Sequence, residues 1–213
     1  MSHEKDTMVI GLTGQTGAGK STVSKIFVKN GFKLIDADLI SREIVKPGMP
    51  CLEELFDYFG SAIRNPDNTL NRKALAHIVF TDNRKLESLN SICHPFITEE
   101  ILARISHYAA EGHRLVLLDA PTLFESQAAD FCDLIISVLA KPELRCGRIM
   151  KRDSITEQEA RNRMDAQLSE SFFIDHSDYV IRNNEDCEQL FALAEEVADK
   201  IKIYYHTKFM ISE

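Results

Sequence analysis

The stretch GLTGQTGAGKST, residues 11–22, constrains the fold of this chain more than any other. It follows an apolar run at residues 8–13, read as a buried strand. It precedes residues 20–30, read as a helix that Gly31 closes. Inside it, Gly14 is followed after four residues by Gly19-Lys20-Ser21, the P-loop pattern. Glycines let successive backbone N–H groups turn inward around an anionic oxygen cluster, so the stretch through Gly17, Ala18 and Gly19 is assigned to bound phosphates. Lys20 reaches the outer phosphates. Ser21 or Thr22, in the first helical turn, offers a hydroxyl to Mg2+, and the helix N-terminus adds positive partial charge.

A strand at residues 32–36 and a helix at about 38–46 follow, closed by the turn Pro47-Gly48-Met49-Pro50. Strand–helix–strand this early predicts an α/β chain built on a parallel sheet, with the second strand next to the first. Residues 51–112 read as helical, with a polar interruption at 64–71 and a break at His94-Pro95, so an all-helical insertion is expected beside the sheet. Aliphatic runs at 114–119 and 133–139 resume the sheet, and 178–181 supplies its last strand. Pro142 opens a helix carrying Arg145, Arg148 and Arg152 at spacings of three and four. Thr156-x-x-Glu159 is a capping box for another helix, running through Arg161, Arg163 and Gln167. An amphipathic helix from Asp186 to about Tyr204 covers the sheet.

The 213 residues allow one α/β domain with insertions. No apolar run approaches a membrane span and the first residues are too polar for a signal peptide, so a cytoplasmic protein without a membrane partner is expected. A net charge of −8 argues against a general nucleic-acid surface. The cysteines at 51, 93, 132, 146 and 187 are odd in number and far apart, which indicates free, buried or partly buried thiols. Oligomeric state is not legible.

Ligands of parallel sheets bind at the C-terminal ends of the strands. Asp36-Ala37-Asp38 lies at the end of the second strand, a place for a carboxylate that takes a proton from an attacking hydroxyl; Asp38 equally suits a helix N-cap. Asp119 ends an aliphatic strand and fits an acid holding Mg2+ directly or through water, or a residue that only caps a loop. Arg145, Arg148 and Arg152 suit either a lid that closes on phosphates or a solvated helix face.

In order and spacing, these motifs resemble the dephospho-CoA kinases over nearly the whole chain. They are the P-loop, IDADLISREIVKPGMP, Phe59-Gly60, LNRKAL with Arg72, His94-Pro95, LLDAPTLFE ending at Glu125, Arg148 with Arg152, RMDAQ with Arg163 and Gln167, and SDYVIRN with Asn183. The resemblance implies a P-loop kinase fold with a core of residues 1–50, 113–147 and 174–213, a helical acceptor-binding insertion at 51–112 and a lid at 148–173. It implies transfer of the ATP γ-phosphoryl group to the ribose 3′-hydroxyl of dephospho-CoA. In that reaction Asp38 is the base, Lys20 steadies the β- and γ-phosphates, Arg148 and Arg152 come from the lid, and Asn183 lies near the adenine. Arg42, Arg72, His94, Leu123, Phe124 and Glu125 line the acceptor pocket. The chain departs from the family pattern at Gln15-Thr16, Asn71 and Thr122, and residues 170–173 lack a lysine.

Three other readings use the same loop. A nucleoside or nucleotide kinase is the nearest. A GTPase switch would need an Asn-Lys-x-Asp guanine reader, which is absent. A non-catalytic nucleotide-binding scaffold would not need Lys20, Asp38 and Asp119 together.

Overall fold

The computed structural model describes residues 6–209. They form two compact units: one of residues 6–35 with 105–209, the other of residues 36–104.

The first unit carries a five-stranded sheet in the order β2-β3-β1-β4-β5. The strands are β1 (Met8–Gly14), β2 (Lys33–Asp36), β3 (Leu115–Asp119), β4 (Leu134–Leu139) and β5 (Tyr179–Arg182). The pairs β1–β3, β1–β4 and β4–β5 are parallel. The position expected for β2 is corrected here, because β3 stands between it and β1. Burial explains the order. Every residue of β1 is buried and LVLLD of β3 is buried from Val116 onward, whereas KLID of β2 buries only Ile35. The strand with the least apolar surface to hide takes the edge.

Helix α1 (Lys20–Lys29) and the long helix α9 (Cys187–Phe209) contribute Val23, Ile26, Phe27, Leu190, Ala194, Ala198 and Ile201 to a core shared with β1, β4 and β5. Gly31, at φ +92, ends α1 in the left-handed region, where a β-carbon is strained.

Three further helices of this unit are α6 (Pro142–Asp153), α7 (Glu157–Asp165) and α8 (Glu170–Asp175). Thr156 and Glu159 form the expected capping box, but α7 stops at Asp165, before Gln167.

The second unit contains α2 (Ala37–Glu43), α3 (Pro50–Phe59), α4 (Arg72–Thr81) and most of α5 (Asn83–Ala110). The polar interruption is a tight loop closed by an antiparallel bridge from Arg64 to Leu70. Asn71 then caps α4 through Oδ1, which accepts from Ala74 N at 3.0 Å. The expected break at His94-Pro95 does not occur: α5 runs through Pro95. Proline removes the N–H that would bond the Ser91 carbonyl, but Ser91 and Pro95 are both exposed, so water can satisfy that oxygen. Nor are all the thiols apart. Cys51 Sγ lies 3.8 Å from Cys93 Sγ, while Cys187 is exposed rather than buried. Among the described residues no helix is long and apolar enough to cross a membrane.

Candidate active site

The loop between β1 and α1 is held from outside. Gly14 lies against β4: a β-carbon on it would stand 2.2 Å from Val138 O. Gln15 N donates to the same oxygen at 3.2 Å, and Ala18 N donates back to Gln15 O at 3.1 Å. Three consecutive carbonyls then accept from side chains far along the chain. Thr16 O takes Arg145 Nε at 2.9 Å, Gly17 O takes Arg148 Nη1 at 3.3 Å, and Ala18 O takes Asn183 Nδ2 at 2.7 Å.

With the carbonyls held outward, the N–H groups of Gly17, Gly19, Lys20 and Ser21 find no acceptor among the described residues. Ser21 is exposed and its hydroxyl is likewise without a partner there. Four backbone donors, open together at a helix N-terminus, make an anion cradle.

Asp119 ends β3 opposite Leu12 of β1, and its carboxylate forms an ion pair with the Lys20 ammonium. Both side chains are largely buried, so the pair lies under weak solvent screening at the end of β3, the strand beside the one that leads into the loop. Hard oxygen donors at Ser21 and Asp119 suit Mg2+. Among the described residues no cluster of three or more His, Cys, Asp or Glu is built to cage a metal. That donor set fits an ion that keeps most of its waters and arrives on phosphates.

The three arginines of α6 do not share one environment. Arg145 is buried, with 4% of its surface exposed, and Arg148 is half-buried on the loop. Arg152 is exposed and lies along Asp153, with contacts of 2.7 and 2.8 Å; Arg163 takes the same carboxylate at 2.6 Å. These contacts, Arg152 first, hold the Asp153 carboxyl below the usual carboxylate range. Burial lowers the Arg145 guanidinium, partly offset by the charge of Glu170.

Asn183 uses its carboxamide within the protein. While Nδ2 holds Ala18, its backbone and side-chain oxygens accept from Arg148 at 3.4 Å. Leu123 is fully buried beside Gly11, on which a β-carbon would stand 2.8 Å from Leu123 Cδ2. Phe124 packs at ring distances of 5.2, 6.0 and 6.0 Å on Phe172, Phe173 and His176, and Glu125 is exposed.

Asp38, Arg42, Arg72 and His94 belong to the second unit. There the α2 cap is Asp36, whose Oδ1 accepts from Leu39 N at 3.0 Å. Asp38 is exposed in the first turn, and its carboxylate has no hydrogen-bond partner among the described residues. The alternative role as N-cap therefore falls to Asp36. Arg42 lies in the last turn of α2, Arg72 opens α4, and His94 is half-buried on α5.

Sequence reasoning reads Arg145 as one of three lid or solvated-face arginines and Gln167 as part of a family motif, but misses that both bond to the Thr16 backbone. The only signal was helix spacing for the one and a family motif for the other, and neither says which backbone atom a side chain meets.

A parallel sheet with a loop of open N–H groups and a strand-end aspartate on the loop lysine defines a P-loop phosphotransferase fold. Shikimate kinase from Bacteroides thetaiotaomicron has the same fold: TM-score 0.52, 15% identity, 92% of this chain and 98% of that one. The dephospho-CoA kinase from Campylobacter jejuni is nearer, with a TM-score of 0.70 and 27% identity over 91% of this chain and 96% of that one. In sequence, the dephospho-CoA kinase of Listeria monocytogenes serovar 1/2a is 41% identical over 84% of this chain and 90% of its own length. The sequence model of the dephospho-CoA kinases matches residues 8–189, and the chain belongs to that family.

Proposed function

We propose that this chain is a dephospho-CoA kinase in activity as well as in family, moving the ATP γ-phosphoryl group to the ribose 3′-hydroxyl of dephospho-CoA in the last step of coenzyme A biosynthesis. The observation that carries the reading is the cradle: open N–H groups at Gly17, Gly19, Lys20 and Ser21 with Lys20 beside them, in a chain matched to the family over residues 8–189.

In the reaction the 3′-oxygen attacks the γ-phosphorus, the bond from that phosphorus to the β,γ-bridging oxygen breaks, and ADP leaves. A ribose hydroxyl is a poor nucleophile at neutral pH, so a carboxylate must orient the oxygen and accept its proton. Asp38 fits, because its carboxylate is not consumed by the helix cap. The loop donors and Lys20 hold the β- and γ-oxygens, where their field is not spent on reorganising water. Arg148 adds positive charge at Gly17. Arg152 must leave Asp153 to reach a phosphate, and Arg163 remains to hold that carboxylate. Ser21 and Asp119 are the residues suited to Mg2+, which when bound neutralises charge on the phosphates. Residues 148–173 act as the lid. The helices of 51–112 hold the acceptor arm, with Arg42, Arg72 and His94 as the residues of the second unit that meet it. Asn183 holds the loop on which ATP sits through Ala18 and lies near the adenine. The cytoplasm, where ATP and reduced thiols coexist, is the compartment.

Calorimetric titration tests the acceptor. Dephospho-CoA is expected to bind far more tightly than adenosine; equal weak binding of both would mean a general nucleoside site.

A further inference from the structure

Arg145 and Gln167 meet at one residue of the phosphate loop, Thr16. Thr16 N donates to Gln167 Oε1 at 2.7 Å, and the same oxygen accepts from Arg145 Nη2 at 3.1 Å. Arg145 Nε donates to Thr16 O at 2.9 Å. Two successive peptide planes, on either side of Thr16, are thus fixed by one guanidinium and one carboxamide. The backbone joins in: a β-carbon on Gly17 would stand 2.8 Å from Arg145 O, so the α6 main chain lies directly on the loop.

The chemistry of Arg145 is unusual for a buried cation. Its hydrogen-bond partners are neutral oxygens, and among the described residues no carboxylate bonds to it. Glu170, the acid that acts on it through space, is itself taken by Arg182 Nη1 at 2.6 Å. A buried charge without a counterion is costly. Here it lies on the carbonyl face of a loop whose opposite face presents open N–H groups, so an anion received there would bring negative charge to the loop that Arg145 holds. Gln167 lies beyond the end of α7, within the segment assigned to the lid, so its bond to Thr16 also ties that segment to the loop.

We propose that Arg145 and Gln167 are positioning residues for phosphoryl transfer: a latch on Thr16 that sets the phosphate-loop peptides before nucleotide binds and links the lid to them. It rests on the loop being the nucleotide site and not on the identity of the acceptor.

The test compares Gln167→Leu, which keeps bulk without an acceptor, Arg145→Lys, which keeps charge without the two-pronged contact, and the double variant. ADP with Mg2+ is titrated calorimetrically without acceptor, and hydrogen exchange is followed in the peptide covering residues 14–20. Gln167→Leu is expected to weaken ADP binding about 3–10-fold, the scale of one net hydrogen bond. It should also speed exchange in that peptide and raise the KM for ATP while leaving that for the acceptor in place. The double variant should lose little more than Arg145→Lys alone, because both residues hold Thr16 and bond to each other. Wild-type ADP affinity with unchanged exchange in Gln167→Leu overturns the latch, as do fully additive losses. Should Arg145→Lys fold poorly, Gln167→Leu decides alone, since its side chain is half-buried outside any helix. An enzyme that shows the latch yet ignores dephospho-CoA refutes the acceptor assignment and leaves the latch standing.

Discussion

Replacing Gly14 by alanine tests how rigidly the loop is seated on the sheet. Gly14 has φ +142, and an added β-carbon would lie 2.2 Å from Val138 O, 2.7 Å from Val138 N and 2.9 Å from Val138 C. All three atoms are β4 backbone, opposite Gly14 in register, so no side chain can swing away. Relief requires parting the ends of β1 and β4, at the cost of the bond from Gln15 N to Val138 O. Backbone strain of this kind costs about 1–3 kcal/mol, and one or two ladder bonds add about 0.5–1.5 kcal/mol each. A loss of about 2–6 kcal/mol lowers the Tm of a chain this size by roughly 5–20 °C. Gly147→Ala is the internal control: Gly147 lies in α6 with nothing within 4 Å of an added β-carbon. Helix propensity there favours alanine by about 1 kcal/mol, a rise of about 2–4 °C. Circular-dichroism melts of both variants measure the contrast. A Gly14→Ala protein melting within about 2 °C of wild type would refute the reasoning, because the strands would then part at almost no cost.

Asp38→Asn is expected to cut kcat by about 10²–10⁴-fold with little change in Tm, whereas Asp36→Ala should cost about 1 kcal/mol of stability by removing the α2 cap and leave chemistry running; the reverse pattern in paired kinetics and melts would move the base to Asp36. Arg148→Ala should lower kcat by up to about 10³-fold, and unchanged turnover in Arg148→Ala, Arg152→Ala and their double variant would remove both from the chemistry, leaving Arg148 as a loop support and Arg152 on a solvated helix face. Arg104 donates to Glu43 at 2.5 Å and to Glu100 at 2.8 Å, and its bond to Glu43 is the main cause holding that carboxyl below the usual range. A depressed carboxyl pKa stabilises the fold above the unfolded value of about 4.3, and the benefit is lost as pH falls through the folded value. Melts of Arg104→Met should therefore lie below wild type at pH 7, by about 0.5–1 kcal/mol for these partly exposed groups, with the gap closing below about pH 4; a gap independent of pH would remove the ion pair as its cause.

The parts of the fold written in local chemistry were legible. The strand before the loop, the helix after it, the aliphatic runs of β3 and β4 and the Thr156–Glu159 box each follow from a few adjacent residues. Strand order was not, because nothing local to KLID says that β3 will stand between it and β1; the difference in apolar surface between LVLLD and KLID carries that information only once the two are compared. Pro95 misled because a helix can carry the cost of an internal proline when its flanking turns are packed and water can reach the freed carbonyl, and exposure at Ser91 and Pro95 is a tertiary fact. In the site, glycine spacing revealed the cradle, but not the side chains that hold its outer face. Arg145, Arg148 and Asn183 bond to backbone oxygens at sequence separations of 129, 131 and 165, and a carbonyl leaves no trace in the identity of its residue.

Turnover of dephospho-CoA tests the proposed activity most directly. Coupled ADP release would be followed for the wild-type chain with ATP and Mg2+ in the presence of dephospho-CoA, AMP, adenosine or no acceptor, with EDTA and Lys20→Ala as controls. The expected result is rapid ADP release with dephospho-CoA, at least 10-fold slower release in every other arm, and near-complete loss with EDTA or Lys20→Ala. Equal or faster release with AMP or adenosine, or full turnover by Lys20→Ala, would contradict the assignment of the loop and its acceptor.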